Sequence, residues 1–229
     1  MKHQGGSSAA KRRAGESAAD LVDDGAVVGL GTGSTAAWAI RALGDRVGAG
    51  LDVRAVPTSF QSRRLALDVG IPVTDLDAVD LVDLAIDGAD QVAGRDLLKG
   101  GGAAHAREKV VASAAGRFVV VIDPSKSVEA LSGAVPVEVL PGARPVVERR
   151  VEDGGGDPTL REATGKDGPV VTDNGNVVLD CDFGTVESPE ELARSLSGLP
   201  GVVEHGLFVG MADEIHVGAP GDVTVERYD

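Results

Sequence analysis

Four short apolar runs, at residues 26–30, 51–56, 81–86 and 118–122, each stop at a turn signal, and segments of helical spacing lie between them. Runs this short, rich in Val, Leu and Ile, read as buried strands rather than helices. They end respectively in Gly31-Thr32-Gly33-Ser34-Thr35, Pro57-Thr58-Ser59, Asp87-Gly88-Ala89-Asp90 and Asp123-Pro124-Ser125-Lys126. Helical patterns are expected over 14–22 (Ala14, Ala18, Leu21, Val22), 36–43, 62–69 and 104–115, with a further short strand at 71–73. Strands alternating with helices build a parallel sheet covered by those helices. The polar first twelve or so residues are expected to be loose.

The pattern changes near Pro136. Strands at 137–139 and 159–163 flank a helix at 143–151, and residues 170–173 and 176–181 read as a hairpin with a type I′ turn at Asn174-Gly175. Ser188-Pro189-Glu190-Glu191 has the form of a capping box with proline at the first helical position, opening a helix to about 197. A last strand is expected over 202–208. This β-α-β-β-α-β order is the ferredoxin-like, split βαβ arrangement. The stretch 207–217 is apolar enough to return to the first sheet.

With 229 residues, 42% of them hydrophobic, the chain can bury one large or two modest cores. Its net charge of −14 argues against nucleic acid, because neutralising phosphates needs a basic patch. No apolar run reaches the ~18 residues of a membrane span, and no secretory segment is evident near Met1. Cys181 is the only cysteine, so no intrachain disulfide forms, and the cytoplasm is the expected compartment. The 23 Asp and 13 Glu against 16 Arg and only 6 Lys suggest an adaptation to high salt, and they make Lys99 and Lys126 conspicuous.

Gly29-Leu30-Gly31-Thr32-Gly33-Ser34 begins like a dinucleotide fingerprint but has Ser34 where the last glycine belongs. The next strand ends in Pro57-Thr58 rather than in an acid for a ribose hydroxyl, so nicotinamide binding is disfavoured. A glycine-hydroxyl turn opening a helix still offers N–H groups and a dipole to an anion; a tight turn with no ligand is the plainer reading. Asp87 and Asp90 flank Gly88-Ala89, close enough for one carboxylate to perturb the other. Glu108 shares a helical face with Ala104, Ala112 and Ala115, which suggests contact with another surface, although a solvated helix acid is the alternative. Lys99 precedes Gly100-Gly101-Gly102 and reads as a cation beside a backbone-lined hollow or as a plain surface lysine. His3, His105, His205 and His216 are scattered, Cys181 has no ligand neighbour, and Ser34 and Ser125 lack a nucleophile elbow, so no metal site is expected. A base, paired acids, a cation and an anion cradle suit proton transfer beside a carbonyl on a phosphorylated substrate.

Together, Gly29-Leu30-Gly31-Thr32-Gly33-Ser34-Thr35, Asp87-Gly88-Ala89-Asp90, Leu98-Lys99-Gly100-Gly101-Gly102-Ala103-Ala104, Arg107-Glu108-Lys109 and Val170-Val171-Thr172-Asp173-Asn174-Gly175-Asn176 closely resemble the type A ribose-5-phosphate isomerase family in order and spacing. The resemblance spans roughly Lys11 onward. It implies an α/β chain: a Rossmann-like parallel-sheet domain (1–133 plus 207–229) with a smaller inserted α+β, ferredoxin-like domain (134–206) involved in oligomerisation. It further implies a cofactor-free aldose–ketose isomerase acting on a sugar phosphate, as a homodimer or homotetramer. By motif, Thr32, Gly33, Ser34, Thr35, Asp87, Gly88, Ala89, Asp90, Lys99, Gly100, Gly101, Gly102 and Lys126 would contact substrate. Glu108 would be the base, with Asp87, Asp90 and Lys99 also catalytic, and Lys11 would reach the phosphate. Two departures stand out: Gln91 replaces the family's usual acid, and 164–169 resembles an added loop. The rival reading is a sugar-phosphate sensor of the kind some transcriptional regulators carry, which calls for a helix-turn-helix ahead of the sensor; here about a dozen polar residues precede the first helical pattern.

Overall fold

The computed structural model describes residues 7–228, and the Ser7 side chain accepts the Ala10 N–H at 3.1 Å and caps helix α1 (Ser8–Ala19). Residues 8–12, expected to be loose, are therefore helical, and 1–6 lie outside the described residues. The helix stops at Ala19, short of Asp24-Gly25, because the N–H groups of Leu21 and Val22 turn back to Ala18 and Ala19 in tightened final turns. The chain continues through β1 (Ala26–Leu30), α2 (Ala36–Gly48), β2 (Val53–Pro57), α3 (Phe60–Asp68) and β3 (Leu84–Asp87). Ser59 and Ser62 form a reciprocal capping box at the start of α3. Residues 71–73 make only one bridge, Val73 to Ala55, instead of a strand.

After β3, a hairpin of β4 (Gln91–Ala93) and β5 (Asp96–Leu98) occupies what the sequence suggested was simple loop, turning through Gly94 at φ 59°. Then follow α4 (His105–Ala114), β6 (Phe118–Ile122), β7 (Ser132–Val139), α5 (Arg144–Asp153), β8 (Asp157–Leu160) and β9 (Val177–Thr185). The chain ends with α6 (Pro189–Ser197), β10 (Val202–His205), β11 (Leu207–Phe208), β12 (Glu214–Gly218) and β13 (Val223–Arg227).

The described residues fall into two compact units. The larger comprises 7–89, 107–127 and 211–228, and is built on a six-stranded sheet ordered β13-β12-β6-β3-β1-β2. Every neighbouring pair is parallel except β12–β13, so the expected parallel sheet carries one antiparallel edge. Val28, Leu30, Ile40, Leu43, Leu84, Ile86, Val119 and Val121 form its core, each buried side chain worth ~1.5–3 kcal/mol. Helix α1 adds a flat stripe of Ala10, Ala14 and Ala18, and Gly15 brings it onto α2: a Cβ there would lie 2.6 Å from the Ala39 nitrogen. The chain leaves β1 towards β2 on one side and returns to β3 on the other. That reversal is the switch point where open α/β sheets hold ligands beyond their carboxyl ends.

The smaller unit comprises Asp90–Ala106 and Val128–Gly210. Its four-stranded antiparallel sheet has the order β10-β7-β9-β8, and α5 and α6 contribute Val147 and Leu196 to a core with Val135, Val137, Val139 and Leu179. With its helices, this is the β-α-β-β-α-β succession expected from the sequence. Strand β10 stops at His205 because Gly206 is a joint: its N–H donates to Pro136 O at 2.7 Å and its carbonyl accepts Lys99 N–H at 2.8 Å. From there β11 joins β5 and β4 in a separate three-stranded sheet.

Two local expectations fail. Gly175 alone turns through positive φ (84°), whereas a type I′ turn needs it at Asn174 too; Thr172 N–H instead reaches Asn176 O across a three-residue loop. Residues 170–173 consequently make an isolated bridge rather than a strand. Ser188 makes no side-chain cap, its ψ of 81° lying off the extended geometry that aims an N-cap oxygen at the first turn. The presumed added loop closes on itself through a bridge of Glu162 to Pro169 and Ala163 N–H on Gly168 O.

A buried ionic network ties the antiparallel edge of the six-stranded sheet to α1. Glu214 is 4% exposed; its Oε1 accepts Arg117 Nη2 and Arg227 Nε (2.6 Å), and its Oε2 faces His216 Nε2 at 3.2 Å. His216 Nδ1 lies 2.8 Å from Ser17 Oγ on α1. Burial alone would raise the Glu214 carboxyl, but the bonds from Arg117, His216 and Arg227 outweigh it and hold the pKa down at about 2. Burial lowers His216, against the raising pull of Glu214. Both groups bind protons more readily unfolded, so stability declines as pH falls, first below ~6.5 for His216 and then below ~4.5 for Glu214. Thermal melts from pH 7 to 2 should show the wild type losing on the order of 3 kcal/mol more than E214Q below pH ~5. Parallel acid profiles would remove Glu214 from this role.

Candidate active site

In the larger unit, the loops leaving β1 and β3 meet at the switch point. Asp87, 3% exposed, accepts the Thr32 N–H at 3.0 Å and the Gly88 N–H at 2.7 Å, both on Oδ1. The approach requires Gly31: a Cβ there would lie 2.0 Å from Asp87 Cγ. Gly31 N–H bonds to Ile86 O, zipping the two loops together. Two backbone donors on one oxygen fix the direction of the carboxyl group.

The turn itself, Gly31-Thr32-Gly33-Ser34-Thr35, runs directly into α2, with Gly33 at φ 115°. Its free N–H groups and the helix dipole suit a phosphate dianion. Lys11 Nζ on α1 lies 3.3 Å from Ser34 Oγ, which places a cation at this anion cradle. Thr32 Oγ1 donates to Ser59 Oγ at 2.7 Å and lies 3.0 Å from Thr58 Oγ1, and Thr58 in turn donates to Leu30 O. Sequence reading missed this hydroxyl chain. Its signal was Thr58-Ser59 at the carboxyl end of the strand beside β1.

Lys126 occupies a one-turn 3₁₀ segment after β6, the strand paired with β3. Buried Asp123 builds that turn, taking the Ser125 N–H at 3.0 Å and its hydroxyl on the same Oδ1. On α4, Glu108 is 5% exposed on a face that also buries Ala104, Val111 and Ala112. The carboxyl is thus not the solvated helix acid that was its alternative reading. Burial of an ionisable acid is costly unless it is engaged by partners or used in chemistry.

In the smaller unit, Asp90 leads into β4 and its Oδ2 accepts the Gly101 N–H at 2.8 Å. Lys99 is 3% exposed, its Nζ lying 5.4 Å from the centre of the Phe208 ring, a cation–π distance. Gly100-Gly101-Gly102 then passes to Ala103, which holds φ 59°, the one non-glycine positive φ among the described residues. Strain of this kind persists where the surroundings enforce it, often at functional loops. Gln91 clamps Ser132 with both ends of its amide: Nε2 donates to Ser132 O at 2.8 Å and Oε1 accepts Ser132 N–H at 2.9 Å. A carboxylate could accept but not donate there, so the two-ended clamp requires the amide.

The geometry therefore joins Thr32 with Asp87 and Gly88, Lys11 with Ser34, and Asp90 with Gly101. No group of three or more His, Cys, Asp or Glu among the described residues is arranged to hold a metal ion.

The chain is similar to known proteins in both sequence and fold. Residues 54–222 match the family model of ribose 5-phosphate isomerase A (phosphoriboisomerase A). The chain is 69% identical to the ribose-5-phosphate isomerase A of Haloarcula marismortui over 97% of both chains. Its fold superposes on the ribose 5-phosphate isomerase A of Methanocaldococcus jannaschii with TM-score 0.91 and 42% identity, covering 95% of this chain and 98% of that one. A D-ribose-5-phosphate isomerase solved in complex with phospho-erythronic acid gives TM-score 0.92 at 39% identity, covering 95% and 97%. From its sequence and its fold alike, the chain belongs to the ribose 5-phosphate isomerase A family.

Proposed function

We propose that the chain interconverts D-ribose 5-phosphate and D-ribulose 5-phosphate, the aldose–ketose step of the non-oxidative pentose phosphate pathway, by proton transfer through a cis-enediolate. The observation that carries the reading is the burial of Asp87, Lys99 and Glu108, three ionisable side chains of one short stretch, in a chain of this family. Charged groups are rarely buried without partners or a task.

The α2 turn, with Thr32, Gly33, Ser34, Thr35 and Lys11, receives the phosphate, and Lys126 adds a second cation. Asp87 assists opening of the sugar ring. Glu108 then removes the C2 proton, leaving an enediolate, and returns a proton to C1 to give the ketose. Lys99 stabilises the oxyanion as charge develops, commonly the larger contribution to such a step. Asp90 holds or relays hydroxyl protons, and Gly88, Ala89, Gly100, Gly101 and Gly102 contribute backbone contacts to the sugar.

The same reading takes the chain to work in the cytoplasm as a homodimer or homotetramer. The exposed apolar Leu140, Val146 and Val203, all in the smaller unit, with Val203 on the edge strand β10, support contact between copies through this unit. Sedimentation of the purified chain tests that part: a monomer at micromolar concentration would remove it.

Incubation with ribose 5-phosphate in a chelating buffer should yield ribulose 5-phosphate without nicotinamide, and failure to form any ketose would overturn the function. Glu108→Gln should lose about 10²–10⁴-fold in turnover yet still bind a ribose 5-phosphate analogue; full activity would remove Glu108 as the base. Lys99→Ala should lower kcat more than it raises KM, whereas the reverse split would make Lys99 a binding residue only.

A further inference from the structure

Arg161 lies just beyond β8, far in sequence from every residue the mechanism uses, yet its guanidinium is spent on the glycine loop. Nε and Nη2 hold Asp180 on β9 side-on, Nε to Oδ2 at 2.8 Å, while Nη1 donates to the carbonyl of Gly100 at 2.8 Å. The side chain is 16% exposed. We infer that Arg161, held by Asp180, is a positioning residue that fixes the Gly100–Gly101 peptide and through it the carboxylate of Asp90.

One peptide plane links Arg161 to Asp90. In a trans peptide the carbonyl and the following N–H point in opposite directions. Gly100 O faces Arg161, so Gly101 N–H faces the other way, where it meets Asp90 Oδ2 at 2.8 Å. Nothing else in the loop holds this plane by bulk. Gly100 sits at φ 105°, and a Cβ there would lie 2.8 Å from His105 Nδ1; a Cβ on Gly101 would lie 3.0 Å from both Asp90 oxygens. Side chains are thus excluded where they would otherwise restrict rotation, and glycine leaves the peptide free to turn. Gly100 O has a second donor in Ala103 N–H at 2.9 Å. That donor belongs to a residue at φ 59°, in a conformation an alanine does not hold unaided. The external anchor is Arg161, and it needs a fork: one edge of the guanidinium grips Asp180 while the remaining nitrogen reaches the loop. A lysine ammonium carries its three N–H donors on one nitrogen and lacks the planar fork that grips a carboxylate edge while a separate nitrogen reaches the loop.

The inference depends on the role proposed for Asp90, and a double-mutant cycle separates the two. R161Q is measured for kcat and KM on ribose 5-phosphate alone and in the D90N background, with D180N and R161K run in parallel. In the otherwise wild-type chain R161Q should lower kcat/KM about 10- to 100-fold, the scale of a small misplacement at a reacting centre. R161K should fall with it rather than with the wild type. Once Asp90 is replaced, R161Q should cost less than about threefold, because its route to the substrate is already gone. Should R161Q fail to fold, D180N and R161K, which keep the positive charge, carry the same cycle. Equal losses in both backgrounds, or wild-type kcat/KM in R161Q, would overturn the role given to Arg161 and leave Asp90 untouched. A D90N chain of wild-type activity would instead remove Asp90 from the reaction, and this route with it.

Discussion

Gly31 has no side chain, and the carboxylate of Asp87 occupies the space one would fill. With a Cβ only 2.0 Å from Asp87 Cγ, no other residue lets the β1 turn and the end of β3 close on each other. From that contact follow the Thr32 N–H bond to Asp87, the opening of α2 at an anion cradle and the hydroxyl chain through Ser59 and Thr58. The carboxyl group is buried and held in direction because the backbone on both sides of it has been brought within bonding distance. A close approach of two loops at a sheet's switch point is a general way to fix an acid without surrounding it with other acids.

The glycine-rich loop after β5 solves the opposite problem. A run of three glycines cannot be packed by side chains of its own, so its conformation is set from outside. Gly206 O takes the Lys99 N–H, Asp90 takes the Gly101 N–H, and Arg161 donates to Gly100 O. Gly206 and Asp90 each sit directly beside a strand, before β11 and β4 respectively, and Arg161 is held by its ion pair with Asp180. Where β10 gives way to β11 at Gly206, the strand break is itself part of this support, since a Cβ there would meet Lys99 O at 2.1 Å.

Much of this is legible in the sequence alone, for local reasons. Phe118–Ile122 is continuous, β-branched and closed by proline, and it forms the central strand expected of it. The alternation of strands and helices dictated a parallel sheet, and the glycine turn after Leu30 opens a helix as its residues imply. Legibility stopped where contacts are long-range or conformations subtle. The β4–β5 hairpin has strands of only three residues, separated by Gly94 and Arg95, too short for any period to register. The type I′ turn was misread because Asn174-Gly175 is a good dipeptide for it, while the cap provided by Thr172 Oγ1 to the Asn174 and Asn176 N–H groups selects a longer loop. Arg161 is separated from Gly100 by 61 positions, and no spacing rule joins an arginine at a strand end to a distant carbonyl.

The account turns on a hydrogen leaving the sugar as a proton and passing through a side chain that can exchange with water. Its most direct measurement is the reaction run to equilibrium in D₂O and the ketose read by NMR. Deuterium should accumulate at one of the two C1 positions of ribulose 5-phosphate, because a single base on one face of a cis-enediolate delivers it. Ketose that stays fully protiated at C1 through many passes would mean a hydride shift and would contradict the account.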